Sequence, residues 1–223
     1  MFTRYAIFYT PPARAFADAG AAWLGWDNAA GQGVAQPDVP GLDLPAQTTG
    51  ARKYGFHATL KAPFRLAEGV DEAALCAAVA GFAARHAPVV LPGLAPRHMH
   101  GFIALRPEGD TTALSALAAD IVRDLDHCRA PLNDAEIERR RKADLTARQD
   151  AQMLDWGYPY IFDDFHFHMT LTGSVDAALA AQILPVAATH VTAPRPFAVD
   201  ALSVMGEDEQ GLFHQIDRFR LTG

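Results

Sequence analysis

The sequence predicts an α+β fold in which one strand-borne motif is used twice, and three observations carry that prediction. Phe56-His57-Ala58-Thr59-Leu60 recurs as Phe167-His168-Met169-Thr170-Leu171, with only the middle residue changed. Each copy sits in a stretch that alternates apolar and polar residues, the pattern of a strand with one buried face. Each is followed by the order strand, helix, strand, strand, and Phe102 and Phe213 each lie 45 residues beyond the motif histidine before them. The pattern describes an internal duplication across a single bilobal domain, residues 1–223. Two pseudo-symmetric lobes would each bring an antiparallel-rich sheet to a central cleft, with helices on the outside.

The elements follow in order. Residues 4–10 alternate Tyr5, Ile7 and Tyr9 with Ala6 and Phe8 until Pro11-Pro12 stops them, a first strand. Residues 15–27 read as a short helix, and 31–50, rich in glycine and proline, as a loop. The first motif strand spans about 53–64. Residues 71–86 carry a helical pattern with Asp71-Glu72 at the positive end of the dipole. Strands at 88–95 and 100–107 flank Arg97-His98-Met99-His100, and an amphipathic helix runs from 111 to about 128. A long charged helix is expected over 134–155, opened by Asn133 or Asp134 and closed by Gly157-Tyr158-Pro159. The second motif strand covers about 160–172, a helix 175–187, and two strands 196–205 and 211–221 complete the chain.

Composition bounds the function. The 223 residues, half of them hydrophobic and a fifth charged, supply a sizeable core. The N-terminus lacks the pattern of a signal peptide or anchor, and no stretch reaches ~18 uninterrupted apolar residues, so a cytoplasmic protein without membrane association is expected. Two cysteines, Cys76 and Cys128, in helix-like patterns read as reduced thiols. The formal net charge of −7 argues against a long nucleic acid as partner. Positive charge is local instead: Arg52, Lys53, Lys61 and Arg65 near the first motif, and Arg139-Arg140-Arg141-Lys142 in the charged helix. A small phosphorylated or otherwise anionic ligand fits that distribution.

The motifs themselves specify a chemistry. On a strand, residues i and i+2 share a face roughly 6.5–7 Å apart, so each copy presents an imidazole beside a hydroxyl. A lone H-x-T is weak, and His190-Val191-Thr192 is a third occurrence. That copy lacks the apolar brackets and runs into Ala193-Pro194, so it reads as a loop. In-line displacement at a phosphodiester needs a base on one side and an acid on the other. His57 and His168, with ordinary pKa values near ~6.5, suit those roles. Thr59 and Thr170 can donate to the non-bridging oxygens where charge gathers. Lys61, on the same expected strand face, would add a fixed positive charge. The scheme calls for no metal and no cofactor.

The paired H-x-T motifs on two similar halves resemble the two-histidine (2H) phosphoesterase superfamily, over nearly the whole chain. That resemblance implies a bilobal fold, His57 and His168 as the catalytic pair, Thr59 and Thr170 as phosphate-binding partners, and metal-independent chemistry on cyclic or 2′-linked phosphodiesters. The wider wording, Arg4-Tyr5-Ala6-Ile7-Phe8-Tyr9-Thr10-Pro11-Pro12, Tyr54-Gly55-Phe56-His57 through Phe64, and Trp156-Gly157-Tyr158-Pro159-Tyr160, is similar to a bacterial branch associated with phosphonate-utilisation operons. It implies 5-phosphoribosyl 1,2-cyclic phosphate as substrate. Two other classes stay open: an RNA-end 2′,3′-cyclic phosphodiesterase or 2′–5′ ligase, and a phosphate-binding module without turnover.

Further candidates have plainer readings beside them. Tyr5 and Tyr9 on the first strand and Tyr158 before the second motif could bind substrate, although strand aromatics are more often core. His166 with His168, and His98 with His100, form H-x-H pairs that can ligate metal, but a rim position for His166 is the stronger reading. The Arg139–Lys142 run could clamp a substrate phosphate or simply be a salt-bridged helix face.

Overall fold

The computed structural model describes residues 2–12 and 14–223. The elements in chain order are β1 (Arg4–Tyr9), α1 (Ala15–Leu24), β2 (Trp26–Asp27), β3 (Gln32–Gly33), α2 (Leu44–Arg52), β4 (Ala58–Phe64) and α3 (Glu72–Ala83). There follow β5 (Val89–Leu91), β6 (Leu94–Met99), β7 (Phe102–Pro107), α4 (Thr112–Asp124), α5 (Asp134–Arg140), α6 (Ala147–Trp156) and β8 (Met169–Thr170). The last are α7 (Ala177–His190), β9 (Phe197–Val199), β10 (Ala201–Glu207) and β11 (Phe213–Arg220). Short 3₁₀ turns occupy Asp126–Cys128 and Phe162–Asp164.

The α+β class holds, with the strands of both halves in one antiparallel sheet of order β11-β10-β1-β4-β8-β7-β6. Two small ladders, β2-β3 and β5-β9, stand apart. The two expected sheets are thus joined edge to edge, through the pairing of Ala58 with Met169 between the motif strands. The halves are also exchanged in space. The β6-β7 hairpin, which follows the first motif, flanks the second motif strand, and the β10-β11 hairpin, which follows the second, lies beyond β1 on the side of the first. Phe102 accordingly packs near His168, and Phe213 lies in the aromatic cluster around His57.

One face of the sheet carries the main core. Tyr5, Ile7 and Tyr9 of β1 are buried there with Leu75, Val79 and Phe82 of α3, Leu114, Leu117 and Ile121 of α4, and Ala180, Ile183 and Ala187 of α7. The other face of β1 presents Ala6 and Phe8, which pack with Met205 and Phe213 in a separate small cluster edged by Tyr54. β1 is therefore apolar on both sides, and Phe8 on the second side lies against the His57 ring.

Several local expectations are corrected. The presumed loop 31–50 contains most of α2, opened by Asp43 accepting from the Ala46 amide and by a proline in the first turn. The charged helix over 134–155 is two helices. α6 restarts at a capping box between Thr146 and Gln149, and Arg141 forms a two-point ion pair with Asp150 across the break. Arg97 and His98 lie inside β6, and the reversal falls on His100-Gly101, both left-handed. The second motif strand shrinks to Met169–Thr170, preceded by extended chain and a 3₁₀ turn. Both cysteines are free thiols, as expected.

Lys61 is the most consequential correction. Thr59 pairs with Phe8 and Lys61 with Ile7, so β4 carries one extra residue against β1 at Leu60. Such a bulge breaks the alternation that would have set Lys61 beside His57 and Thr59. Its side chain turns to the α4 side, 4% exposed, where the ammonium donates to the Val122 carbonyl (3.3 Å) and to Asp126 (2.9 Å). Arg129 closes a triad by donating twice to the same carboxylate. Burial pushes the Lys61 ammonium down, opposed by Asp126. Burial acts to raise Asp126, but the bonds from Arg129 and Lys61 outweigh it and hold the carboxyl below its usual range. Removing one partner strands a buried charge, so Asp126→Ala should destabilise the fold by about 3–5 kcal/mol, whereas Lys61→Met should be close to neutral. Denaturant unfolding of the two variants checks this, and equal losses would contradict the triad's role.

Candidate active site

Both motif histidines sit one residue before their strands, and both are fixed by the same local bond. His57 Nδ1 donates to the carbonyl of Gly55 (2.9 Å), and His168 Nδ1 donates to the carbonyl of His166 (2.7 Å). A carbonyl only accepts, so each neutral ring carries its proton on Nδ1 and leaves Nε2 as a lone-pair base. His57 Nε2 meets the Thr59 hydroxyl at 3.1 Å, which donates to it. The bond to Gly55 depends on a left-handed turn, φ +70°, and a Cβ there would overlap the Asn28 side chain. Asn28 in turn donates to the Tyr54 carbonyl (3.0 Å), so the turn before the first motif is held from outside.

The register then builds the array. With Ala58 opposite Met169 in an antiparallel pair, Thr59 falls beside His168 and His57 beside Thr170. The four side chains form two imidazole–hydroxyl pairs related by a pseudo-twofold through the shared backbone pairing. All four line one cavity of about 480 Å³, together with Arg4, Lys53, Tyr54, Arg139, Arg140 and Tyr158. A second recess of about 620 Å³ shares Thr59, Ala62, Tyr158 and His168 and extends past Phe102, Tyr160, Phe165 and His166. The cleft thus has a basic arm and an aromatic arm, with His168 and Thr59 at their junction.

Electrostatics favour neutral imidazoles in the cleft. Phe8 stacks on His57 with ring centroids 4.0 Å apart, and Tyr54 lies 5.7 Å away. Burial pushes the His57 imidazole down to about 4, against the Gly55 bond and with a smaller repulsion from His168. His168 is also pushed below its ordinary value, by burial and, more weakly, by the charges of Arg106 and His166, while its bond to His166 opposes the shift.

The other expected site residues divide. Tyr158 lines both arms, and its hydroxyl is pushed up by burial. Tyr5 and Tyr9 share a face, but it is the helix-covered one. Tyr5 donates to Glu72 (3.2 Å), and Tyr9 packs against Phe167 and Phe197. Arg52 caps Leu24 and bonds Gln36, and Arg65 pairs with Glu136, so Lys53 is what remains of the first basic group in the cavity. His166 lines the aromatic arm, and among the described residues no three histidine, cysteine, aspartate or glutamate side chains are gathered to hold a metal. Residues 31–50 contribute nothing to the lining of either arm. Two cations escaped the sequence reading: Arg4, paired bidentately with Glu207, and Arg106, whose charge reaches His168. Phe102, Ala104 and Arg106 share one face of β7, and Ala104 pairs with Thr170, so the register sets Arg106 on the face of the motif hydroxyl.

Comparison with known proteins gives the chain its relatives. Residues 59–214 match the family described as "Protein of unknown function (DUF1045)". Over 219 residues the chain is 40% identical to the ribose 1,5-bisphosphate phosphokinase PhnN of Janthinobacterium sp. (strain Marseille). Over 216 residues it is 36% identical to the protein of that name from Laribacter hongkongensis (strain HLHK9). These alignments cover 94% and 96% of this chain but 48% and 51% of the relatives, so the chain spans about half the length of the curated relatives it matches. Among solved structures, E. coli LigT complexed with 3′-AMP aligns over 100% of both chains with a TM-score of 0.50 at 15% identity, which shows a shared fold. Among the described residues no helix is long and apolar enough to cross a membrane.

The stacked Phe8 ring keeps water from His57. Phe8→Leu should therefore raise the His57 pKa from about 4 toward the ordinary ~6.5, read by NMR titration of the imidazole. An unchanged titration would show that the ring does not set it.

Proposed function

The chain belongs to the DUF1045 family, and we propose that it is a metal-independent cyclic phosphodiesterase acting on a small phosphorylated sugar. The observation that supports this most is the paired array. Two neutral imidazoles, each held through Nδ1 with Nε2 unprotonated and a motif hydroxyl two residues on, border one cavity at the heads of two paired strands.

In the mechanism, His57 is the base, because it is the more strongly buried against aromatic rings and is pushed down to about 4. Its Nε2 takes a proton from water as the water oxygen attacks phosphorus. His168, protonated once the anionic substrate is bound, gives its Nε2 proton to the departing sugar oxygen as the phosphorus–oxygen bond breaks. Thr59 turns its hydroxyl from His57 Nε2 as the substrate enters, and with Thr170 it donates to the non-bridging oxygens. One proton leaves water and one reaches the alcohol, so the two rings exchange states and are reset through solvent.

The relatives suggest the substrate. They carry the name of an enzyme acting on ribose 1,5-bisphosphate. Opening 5-phosphoribosyl 1,2-cyclic phosphate by breaking the bond from phosphorus to O2 leaves the phosphate on C1, which is ribose 1,5-bisphosphate. The substrate so named is small and anionic, in keeping with a local basic cavity on a chain of net charge −7. A second reading, opening of a 2′,3′-cyclic phosphate on a nucleotide or RNA end, draws on the aromatic arm, whose Phe102, Tyr160 and Phe165 could stack a base.

Phosphorus NMR in EDTA separates the readings. Wild type should open 5-phosphoribosyl 1,2-cyclic phosphate to the 1-phosphate, and turnover only of 2′,3′-cyclic nucleotides would favour the second. Turnover requiring added metal would contradict the acid–base scheme. His57→Ala and His168→Ala should each lose on the order of 10²–10⁴ in rate, and Thr59→Ala or Thr170→Ala about 10–10³. The pH profile of kcat/KM has a defined sign. Activity falls as pH drops through about 4, where His57 is protonated, and falls again as pH rises through the His168 pKa, below 6.5. An optimum above pH 8 would contradict the assignment.

A further inference from the structure

The basic arm contains more positive charge than the reacting phosphate needs. Arg4 is neutralised by the two oxygens of Glu207. Lys53, Arg139 and Arg140 line the same cavity and make no ion pair among the described residues. Arg140 lies over the Tyr158 ring, 5.5 Å from its centroid, and its Nε is buried without a hydrogen-bond partner. A buried guanidinium donor without an acceptor is costly, and cations this close repel one another. Lys53 is carried over the Tyr54 ring at 4.8 Å, and Tyr54 itself packs against His57, so the cationic arm begins one ring away from the base.

The break in the charged helix explains how these side chains arrive. α5 ends at Arg140, and the next residue, Arg141, is spent on Asp150 of α6, outside the cavity. Only Arg139 and Arg140 of the basic run are delivered to the cleft, while Glu136 of the same helix is engaged by Arg65 and by the capping box at Asn133. Unpaired charge on this arm is thus a product of the local fold.

We propose that Arg140, Arg139 and Lys53 form an anion subsite that binds a terminal phosphomonoester of the substrate while the cyclic phosphate lies between His57 and His168. The inference rests on the reaction proposed above and extends it to two-point recognition. A phosphomonoester offers several acceptor oxygens and close to two negative charges, matching an unsatisfied guanidinium with two further cations. The cavity of about 480 Å³ falls in the range of small-ligand sites.

The test uses ribose 5-phosphate as a probe by calorimetry, and kinetics on ribose 1,2-cyclic phosphate with and without the 5-phosphate. The Arg139→Gln, Arg140→Gln double variant should weaken ribose 5-phosphate binding roughly tenfold or more. It should lower by a similar factor the preference, in kcat/KM, for the 5-phosphorylated cyclic phosphate. Lys53→Gln, at an exposed position, gives an independent reading should the double variant fold poorly. The His57→Ala, His168→Ala variant should still bind ribose 5-phosphate. Binding unchanged by both cation variants, or abolished by the histidine variant, would overturn the subsite. Cation-dependent binding together with no turnover of either cyclic phosphate would uphold the subsite and refute the proposed reaction.

Discussion

One backbone pairing, Ala58 against Met169, joins the two halves of the sheet, and the geometry of the cleft depends on it. In an antiparallel ladder the residues on either side of a pair are themselves neighbours. That rung therefore sets Thr59 beside His168 and His57 beside Thr170. Moving it by one residue would turn one imidazole–hydroxyl pair into the core. The apolar brackets resist such a slip, since Phe56, Ala58 and Leu60 on one strand and Phe167, Met169 and Leu171 on the other are all buried in the main core.

A second constraint is electrostatic. The cleft holds two imidazoles, several cations and aromatic walls, and among the described residues no carboxylate lines its basic arm. Burial and neighbouring positive charge favour the neutral form of both rings. An arriving phosphate supplies the missing negative charge, which favours protonation of an imidazole. Substrate binding and preparation of the acid are then linked through the same Coulombic attraction. The Nδ1 bonds to Gly55 and His166 hold each ring with Nε2 available for the proton that moves.

The sequence shows the motif strands and their chemistry because His and Thr at i and i+2 leave a period-2 trace beside buried Phe and Leu. It does not show Lys61's position, since the extra residue at Leu60 appears only when β4 is laid against β1. Tyr5 and Tyr9 could not be assigned a side because β1 is apolar on both faces. The helix break near Arg141 is hidden by good helix formers around it, although the Thr146–Gln149 capping box is a readable restart. The exchange of hairpins between halves is invisible in element order, which is the same after each motif whichever strand the hairpin joins.

Catalysis in this cleft requires His57 and His168 to be a matched pair of neutral, Nδ1-protonated bases awaiting an anion. Nitrogen-15 NMR of the two imidazoles at neutral pH, without and then with inorganic phosphate, tests it most directly. Both rings should be in the Nδ1–H tautomer without phosphate, and one should gain a proton as phosphate binds. A ring already charged without phosphate, or carrying its proton on Nε2, would contradict it.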